Sequence, residues 1–268
     1  MDNIRNLTIS STHPCLIVYL IDQSQSMGAT FGNANHSKAT EVAGAVNDII
    51  YELALKCIGR EGELKNRFEL AVIGYGKEAN KVQSGWEGSL NGRWVISIND
   101  IFNNVLETKE DRPVWIKPYA NQNTPMTRAF ENAKRLCKNW IDWGNHMDCH
   151  PPIIINITDG VATDAGPNFS YLKNEIDAIK RLSTNYGSVH ILNVHISDKP
   201  GEQILFPNQK PTNGRFGSLL FDNSTLLNEN MIRIANSQGY NIKDGAKGYV
   251  YNGSATDLIN FLNIGSPL

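Results

Sequence analysis

The segment "CLIVYLIDQSQS", residues 15–26, is the most informative part of the sequence. Seven apolar residues run from Cys15 to Ile21, which is typical of a strand buried on both faces of a sheet. Asp22, Ser24 and Ser26 follow at alternate positions, and two glycines lie shortly beyond them. The chain therefore leaves the predicted strand with three oxygen-bearing side chains close together, which indicates a function at that end of the strand.

Strand and helix patterns alternate along the rest of the chain. Further strands are predicted over 67–76, 151–160, 188–196 and 248–252, and helices over 37–57, 124–141, 169–182, 225–238 and 255–262. Ser37 is a candidate N-cap for the first helix, and Thr124 for the second, with Pro125 at its first helical position. This order predicts an α/β fold with a doubly wound, mainly parallel β-sheet flanked by helices on both faces.

We expect one domain over residues 1–268, with an insertion around 77–118 and a loop-rich segment around 199–216. Within the insertion, Asn91-Gly92 predicts a hairpin turn, and "DRPVWIKPY" (111–119) suggests a short strand. Trp86, Trp94 and Trp115 fall in the same region. Packing in the core is the more common role for tryptophan, and an exposed patch is the alternative.

Composition disfavours several functional classes. Lys and Arg total 25 against 27 Asp and Glu, so the net charge of −2 argues against binding to nucleic acid or an anionic membrane. No apolar run is long enough to span a bilayer, and the polar N-terminus does not resemble a signal peptide. Four isolated cysteines (Cys15, Cys57, Cys137 and Cys149) suggest free thiols in a reducing compartment. We therefore expect a cytoplasmic protein.

Oxygen donors follow three of the predicted elements. Asp22, Ser24 and Ser26 follow the first strand, Thr124 precedes a helix, and Asp159 follows "IIINIT". In a doubly wound sheet such residues meet outside the carboxyl ends of the strands. Two carboxylates and three hydroxyls favour a hard cation, Mg²⁺ first, with Mn²⁺ or Ca²⁺ as substitutes. Zinc is disfavoured, because "HMDCH" (146–150) lacks a second ligand pair and His190 and His195 resemble packed strand residues.

Three motifs carry a resemblance to a known family. "DQSQS" (22–26), "NTPMT" (123–127) and "ITDG" (157–160) resemble, in that order, the metal-ion-dependent adhesion site of von Willebrand factor A domains. The similarity is greatest to stand-alone bacterial members associated with tellurite resistance. It implies that Ser24, Ser26 and Thr124 coordinate the metal through hydroxyls, while Asp22 and Asp159 hold its waters or bind it directly. Thr127 is a competing hydroxyl.

The chain departs from the family pattern at two places. Gln25 and residues 121–123 stand where glycines are frequent, which affects loop geometry and removes no ligand. The residues next to the ligands are candidates for a partner-binding rim; they are Gln25, Met27, Asn123, Gly160 and Asp164. For Asp164, a turn aspartate is the more ordinary interpretation.

The resemblance implies a Mg²⁺-dependent protein-binding module, a cytosolic scaffold or signalling adaptor whose metal captures an Asp or Glu of another protein. That partner could be a kinase, a phosphatase or an ATPase encoded nearby. One alternative is a subunit of an ATPase-driven assembly system, and another is a metal-assisted phosphoesterase or hydrolase. No nucleophile motif, phosphate-binding loop or second carboxylate two residues after Asp22 is present, so we do not expect an enzyme.

Overall fold

The structure, a computed structural model, describes residues 9–32, 35–197 and 203–265. Residues 199–202 of the predicted loop-rich segment lie outside the described residues, as do positions 1–8 of the polar N-terminus. Within the described ranges, no helix combines the length and apolar character needed to cross a membrane.

A mainly parallel sheet forms the centre of the molecule. Its parallel strands are β1 (Cys15–Asp22), β2 (Phe68–Tyr75), β7 (Ile153–Thr158), β10 (His190–His195) and β12 (Tyr249–Tyr251). Three short strands pair antiparallel with these: β3 (Val82–Ser84), β4 (Ile96–Ser97) and β11 (Ile204–Leu205). The order is β11-β12-β10-β7-β1-β2-β3, with β4 also paired to β2. Two separate hairpins complete the strands: β5 (Glu107–Lys109) with β6 (Arg112–Val114), and β8 (Ser183–Thr184) with β9 (Gly187–Ser188).

Helices cover both faces of the sheet. They are α1 (Lys38–Lys56), α2 (Ile98–Phe102), α3 (Met126–Asp142), α4 (Ser170–Lys180), α5 (Gly214–Asn223), α6 (Glu229–Ser237) and α7 (Ala255–Ile264). Apolar side chains of α1, α2, α6 and α7 share one core cluster, and those of α3, α4 and α5 share the other. The predicted doubly wound α/β fold is confirmed.

Strand β1 lies between β2 and β7, and all eight of its residues are buried. Because side chains alternate along a strand, Ile17 and Tyr19 pack into one core cluster, while Leu16 and Val18 pack into the other. A continuous apolar run is what a strand covered on both faces requires. The strand that dominates the sequence is thus central in the sheet.

The predicted hairpin at Asn91-Gly92 is wrong. The strands on either side of it, β3 and β4, both pair with β2 and not with each other, and a short 3-10 helix (Gly88–Leu90) lies between them. The hairpin of this region is β5–β6, whose turn residues Glu110 and Asp111 have positive φ. Trp86 and Trp115 are buried, so core packing is confirmed for these two.

The predicted boundaries fail most clearly in the last third of the chain. Residues 214–223 form helix α5, although the loop-rich segment was expected to reach 216. The following helix begins at Glu229, with Asn228 as its N-cap, and not at 225. The described part of the loop-rich segment also contains the short edge strand β11.

Candidate metal centre at the carboxyl edge of the sheet

The oxygen donors lie where the strand order reverses. The chain passes from β1 to β2 on one side and later returns to β7 on the other side of β1. Asp22 is the last residue of β1, and Asp159 directly follows β7. Loops leaving neighbouring parallel strands in opposite directions create a crevice, and ligands of open α/β sheets bind there. The predicted carboxyl-edge location of these two carboxylates is therefore confirmed.

Hydroxyl and carboxylate oxygens converge at this crevice. The Oγ atoms of Ser24 and Ser26 are 3.2 Å apart, and Ser26 Oγ donates to Asp159 Oδ1 at 2.7 Å. A Cβ atom built on Gly160 would lie 3.7 Å from both Ser26 Oγ and Thr124 Oγ1, so Thr124 faces the same space. Three segments that are far apart in sequence thus bring four oxygen-bearing side chains together.

Asp22 lies beneath this cluster and is 1% exposed. Its Oδ1 accepts from the backbone N–H of Ser24 at 2.9 Å, and its Oδ2 accepts from Thr158 Oγ1 at 2.6 Å. Burial raises the pKa of Asp22 to about 6, while the donors on Ser24 and Thr158 oppose that rise. The carboxylate is therefore still predominantly ionised at neutral pH.

Lys38 is a site residue that the sequence interpretation missed. Its Nζ donates to Asp159 Oδ2 at 2.7 Å, and both side chains are 0% exposed. A signal was present in the sequence, because Lys38 follows the N-cap Ser37 and so occupies the first position of α1. The positive end of the helix macrodipole disfavours a cation there. A lysine placed against that preference indicates a specific anionic partner.

Backbone hydrogen bonds tie the three loops together. The N–H of Gln25 donates to the carbonyl of Gln122 at 2.8 Å, and the N–H of Gln122 donates to the carbonyl of Gly76 at 2.8 Å. The N–H of Thr163 donates to the carbonyl of Thr124 at 2.9 Å. The loop that carries Thr124 is consequently held between the loops that follow β1, β2 and β7.

Thr124 is not the N-cap of α3, contrary to the prediction. The helix begins at Met126, Pro125 precedes it, and no side chain at that position caps it. The carboxylate of Asp164 instead accepts from the N–H groups of Thr127 at 2.9 Å and Arg128 at 3.1 Å. An aspartate from a distant loop therefore satisfies the first turn of α3, which leaves the hydroxyl of Thr124 available to the cluster.

The competing hydroxyl of Thr127 is engaged elsewhere. Its Oγ1 donates to the carbonyl of Asp164 at 3.1 Å. Asp164 is thus committed to the start of α3 through both its side chain and its backbone. This arrangement favours Thr124 over Thr127 as the metal ligand, and it makes Asp164 a structural residue of the rim.

The predicted rim residues differ in exposure. Met27 is 0% exposed and packs in the core cluster beneath α1, so its assignment to the rim is wrong: the short 3-10 helix Gln25–Gly28 turns its side chain inward. Gln25 is exposed, and Gly160 is partly exposed. Asn123 is partly exposed, and its side-chain amide bonds to Asn80. A partner-binding role for Gln25, Asn123 and Gly160 stays a prediction.

Soft metal ligands do not assemble in the described part of the chain, where no group of three or more His, Cys, Asp and Glu side chains is placed to hold a metal ion. In the "HMDCH" loop, His146 stacks on Trp140 with ring centroids 4.1 Å apart, and Cys149 is buried. The carboxyl-edge cluster is of another type, since most of its donors are hydroxyls. Its all-oxygen donor set fits Mg²⁺, which Asp22, Ser24, Ser26, Thr124 and Asp159 would hold.

No protein-family model matches the chain, and no curated protein matches it. The solved structures that are similar in shape include two adhesins and a coat protein. The pilus adhesin SpaC from Lactobacillus rhamnosus GG is 13% identical with a TM-score of 0.46, over 94% of this chain and 30% of the adhesin. Human COPII-coat protein Sec24c is 9% identical with a TM-score of 0.34, over 70% of this chain and 26% of Sec24c. The adhesive tip pilin GBS104 from Group B Streptococcus agalactiae is 14% identical with a TM-score of 0.34, over 88% of this chain and 45% of the pilin. The chain spans less than half the length of each, and similarities this weak assign no function.

Proposed function

We propose that this chain is a Mg²⁺-dependent protein-binding module that captures a carboxylate of a partner protein. The observation that carries the proposal is a chain of close oxygens: Ser26 Oγ lies 3.2 Å from Ser24 Oγ and 2.7 Å from Asp159 Oδ1. Thr124 faces the same space. The resemblance of the three motifs to the metal-ion-dependent adhesion site of von Willebrand factor A domains supports the same conclusion.

The charges around the cluster support capture of an anion. Ionised Asp22 and Asp159, together with the Lys38 ammonium, leave one net negative charge, and the other donors are neutral hydroxyls. A bound divalent cation would make the site net positive and so provide a Lewis-acidic position for an anionic oxygen. Ser24, Ser26 and Thr124 orient the donor oxygens without neutralising that charge. A partner's Asp or Glu is the common protein group that suits such a site.

The surroundings of the cluster support recognition by contact. Gln25 and Ser26 are exposed, and Val161, two residues after Asp159, is 52% exposed. Polar and apolar side chains thus border the position that a partner's carboxylate would reach, which is the mixture found at protein interfaces. We place the module in the cytosol, because its four cysteines are free and buried. An adaptor or scaffold role follows from this proposal.

The first test measures Mg²⁺ binding with a matched pair of variants. Isothermal calorimetry of the full chain should detect one Mg²⁺ site, and Thr124→Val should weaken it at least about 30-fold because an oxygen donor is lost. Thr127→Val removes the same group three residues away and should change the affinity less than about threefold, because its hydroxyl bonds to Asp164. Equal effects of the two variants, or no binding by the wild type, would contradict the proposed site.

The second test concerns the partner. Affinity purification from the native source should recover a protein in Mg²⁺ that is lost in EDTA and lost with Thr124→Val, while Thr127→Val retains it.

A third test concerns catalysis. Purified chain incubated with ATP, phosphoesters and peptides should show no metal-dependent turnover. Hydrolysis that depends on Ser26 and Mg²⁺ would favour an enzyme instead.

A further inference from the structure

A buried lysine at the proposed metal site needs an explanation. Transfer of an ammonium group from water into the protein interior is costly unless a partner and hydrogen bonds compensate. Lys38 bears this cost and also lies at the helix end that disfavours a positive charge. Neither feature favours stability, whereas a buried apolar side chain of similar size would avoid both costs.

The fold holds Lys38 firmly in place. Ser37 Oγ accepts from the N–H of Thr40 at 3.2 Å and so caps α1. The N–H of Lys38 donates to the carbonyl of Ala29 at 2.9 Å, which ties the start of the helix to the loop that follows β1. The same loop carries Ser24 and Ser26. This hydrogen bond therefore holds the backbone of Lys38 against the loop that carries two hydroxyls of the cluster.

Both carboxylate oxygens of Asp159 are engaged in this arrangement. Ser26 donates to Oδ1, and Lys38 donates to Oδ2. The ammonium offsets the charge of Asp159 and engages one of its two oxygens. Asp22 is held in a comparable way by Ser24 and Thr158, although these donors are uncharged. Lys38 thus distinguishes the two carboxylates of the site.

We infer that Lys38 is a built-in cation that restrains Asp159 from direct metal coordination, so that the site binds Mg²⁺ less tightly and an acidic ligand more tightly. The inference rests on the proposed function. Lys38 acts through Asp159 and is a positioning residue. By linkage, a site held in this state couples the two ligands: an anion should raise the affinity for Mg²⁺, and Mg²⁺ should raise the affinity for the anion by the same factor.

The experiment measures Mg²⁺ binding to the full-length Lys38→Met chain by calorimetry, with and without acetate as the carboxylate probe. Release of the Asp159 carboxylate to coordinate the metal should tighten Mg²⁺ binding at least about tenfold. Acetate should strengthen Mg²⁺ binding by the wild type and do so severalfold less in the variant. Lys134→Met removes an ion pair with Glu175 between α3 and α4, and serves as a matched control that should change neither quantity.

A second pair of variants covers the case in which Lys38→Met fails to fold. Lys38→Met/Asp159→Asn removes both buried charges, and Asp159→Asn alone leaves the lysine. If Lys38 acts through the carboxylate of Asp159, the double variant should gain less than about threefold over Asp159→Asn. A gain of about tenfold or more over Asp159→Asn would overturn the positioning role.

The outcomes separate the inference from the proposed function. Mg²⁺ binding that Thr124→Val removes but folded Lys38→Met leaves unchanged or weakened would overturn the inference alone. No Mg²⁺ binding by wild type, Lys38→Met or the double variant would overturn both. Binding gained only in Lys38→Met would also overturn both, because the wild type would then hold no Mg²⁺.

Discussion

The two edges of the central sheet bury different sets of ionisable groups. At the amino edge, Cys15 begins β1 and His190 begins β10, and His150 lies close to both: its Nδ1 is 3.7 Å from Cys15 Sγ, and its ring centroid is 6.2 Å from that of His190. At the carboxyl edge lie Asp22 and Asp159. The neighbouring parallel strands β1, β7 and β10 contribute to both edges.

The buried thiols and imidazoles at the amino edge are uncharged at physiological pH. Burial raises the pKa of the Cys15 thiol far above its usual range and that of Cys149 to about 11, and it lowers the pKa of His190 to about 4. Burial therefore favours the uncharged form of each of these groups. At the carboxyl edge, Ser24 and Thr158 donate to Asp22, and Ser26 and Lys38 donate to Asp159. The buried carboxylates thus have hydrogen-bond donors that oppose the effect of burial, whereas His195, which ends β10 at the same edge, behaves like His190: burial lowers its pKa to about 4.

The largest expected effect is the loss of Mg²⁺ affinity when a carboxylate at the carboxyl edge is replaced. Asp22→Asn removes a buried charge, and the amide can still accept from the Ser24 N–H and donate to Thr158 Oγ1. Mg²⁺ affinity should fall at least about 100-fold, while the free energy of unfolding without metal should stay within about 1 kcal/mol of wild type or rise. Calorimetry and urea unfolding measure the two quantities.

The control for Asp22→Asn is Cys149→Ser at the amino edge, which should leave Mg²⁺ affinity unchanged. If Asp22→Asn binds Mg²⁺ as the wild type does, the ionised carboxylate has no role in the site. The difference in buried groups between the two edges would then be unrelated to metal binding.

The second prediction uses pH, because the pKa values of Asp22 and His190 are shifted in opposite directions. The pKa of Asp22 is raised from 3.8 to about 6, so its contribution to stability is present below pH 3.8 and is lost as pH rises through 6. The pKa of His190 is lowered from 6.5 to about 4, so its contribution is present above pH 6.5 and is lost as pH falls through 4. Each change amounts to roughly 3 kcal/mol at most.

Single variants should separate the contributions of Asp22 and His190 to the pH dependence of the unfolding free energy. Between pH 6.5 and 4, Asp22→Asn should steepen the loss of unfolding free energy on acidification, and His190→Gln should flatten or reverse it. Urea unfolding at a series of pH values measures the slopes, and the value at pH 7 separates packing costs from titration. Slopes that are the same in both variants and the wild type would show that neither buried group changes its pKa on folding.

The smallest effect concerns Asp164, which caps α3 at the carboxyl edge. Asp164→Ala should lower the free energy of unfolding by about 1–2 kcal/mol, because two N–H groups of the first helical turn lose their acceptor. Mg²⁺ affinity should change less than about threefold. Asp177→Ala removes an exposed aspartate of α4 that pairs with Lys173, and should cost no more than about 0.5 kcal/mol. A large loss of Mg²⁺ binding in Asp164→Ala would instead make this residue part of the metal site.

Local pattern was sufficient for much of the fold. Helix α1 was predicted over 37–57 and spans Lys38–Lys56 with Ser37 as its cap, and β1 was predicted to within one residue. Both depend on apolar spacing and capping that neighbouring residues determine. The sequence pattern does not predict helix α5, because Gly214 and Gly217 lower its intrinsic helix propensity. Its formation depends on burial of Phe216 and Leu220 against distant strands.

The candidate site likewise contains residues that local sequence predicts and contacts that it does not. The motifs placed Asp22, Ser24, Ser26, Thr124 and Asp159, because each follows or precedes an element that the sequence pattern predicts. The cap of α3 comes from Asp164 in the loop after β7, and the partner of Lys38 lies 121 positions away in sequence. Contacts of this kind depend on how loops fold over one another. No local periodicity encodes them.

Gly76 imposes a constraint on evolutionary divergence. Its φ is +101°, and a Cβ there would lie 2.4 Å from the carbonyl oxygen of Asn123 and 2.9 Å from the backbone nitrogen of Ser24. Any other residue would force apart the loops that carry Ser24 and Thr124. Selection for the site would therefore act on a position with no side chain, and a lineage that lost glycine at 76 would lose the geometry of the cluster while every ligand in it stayed intact.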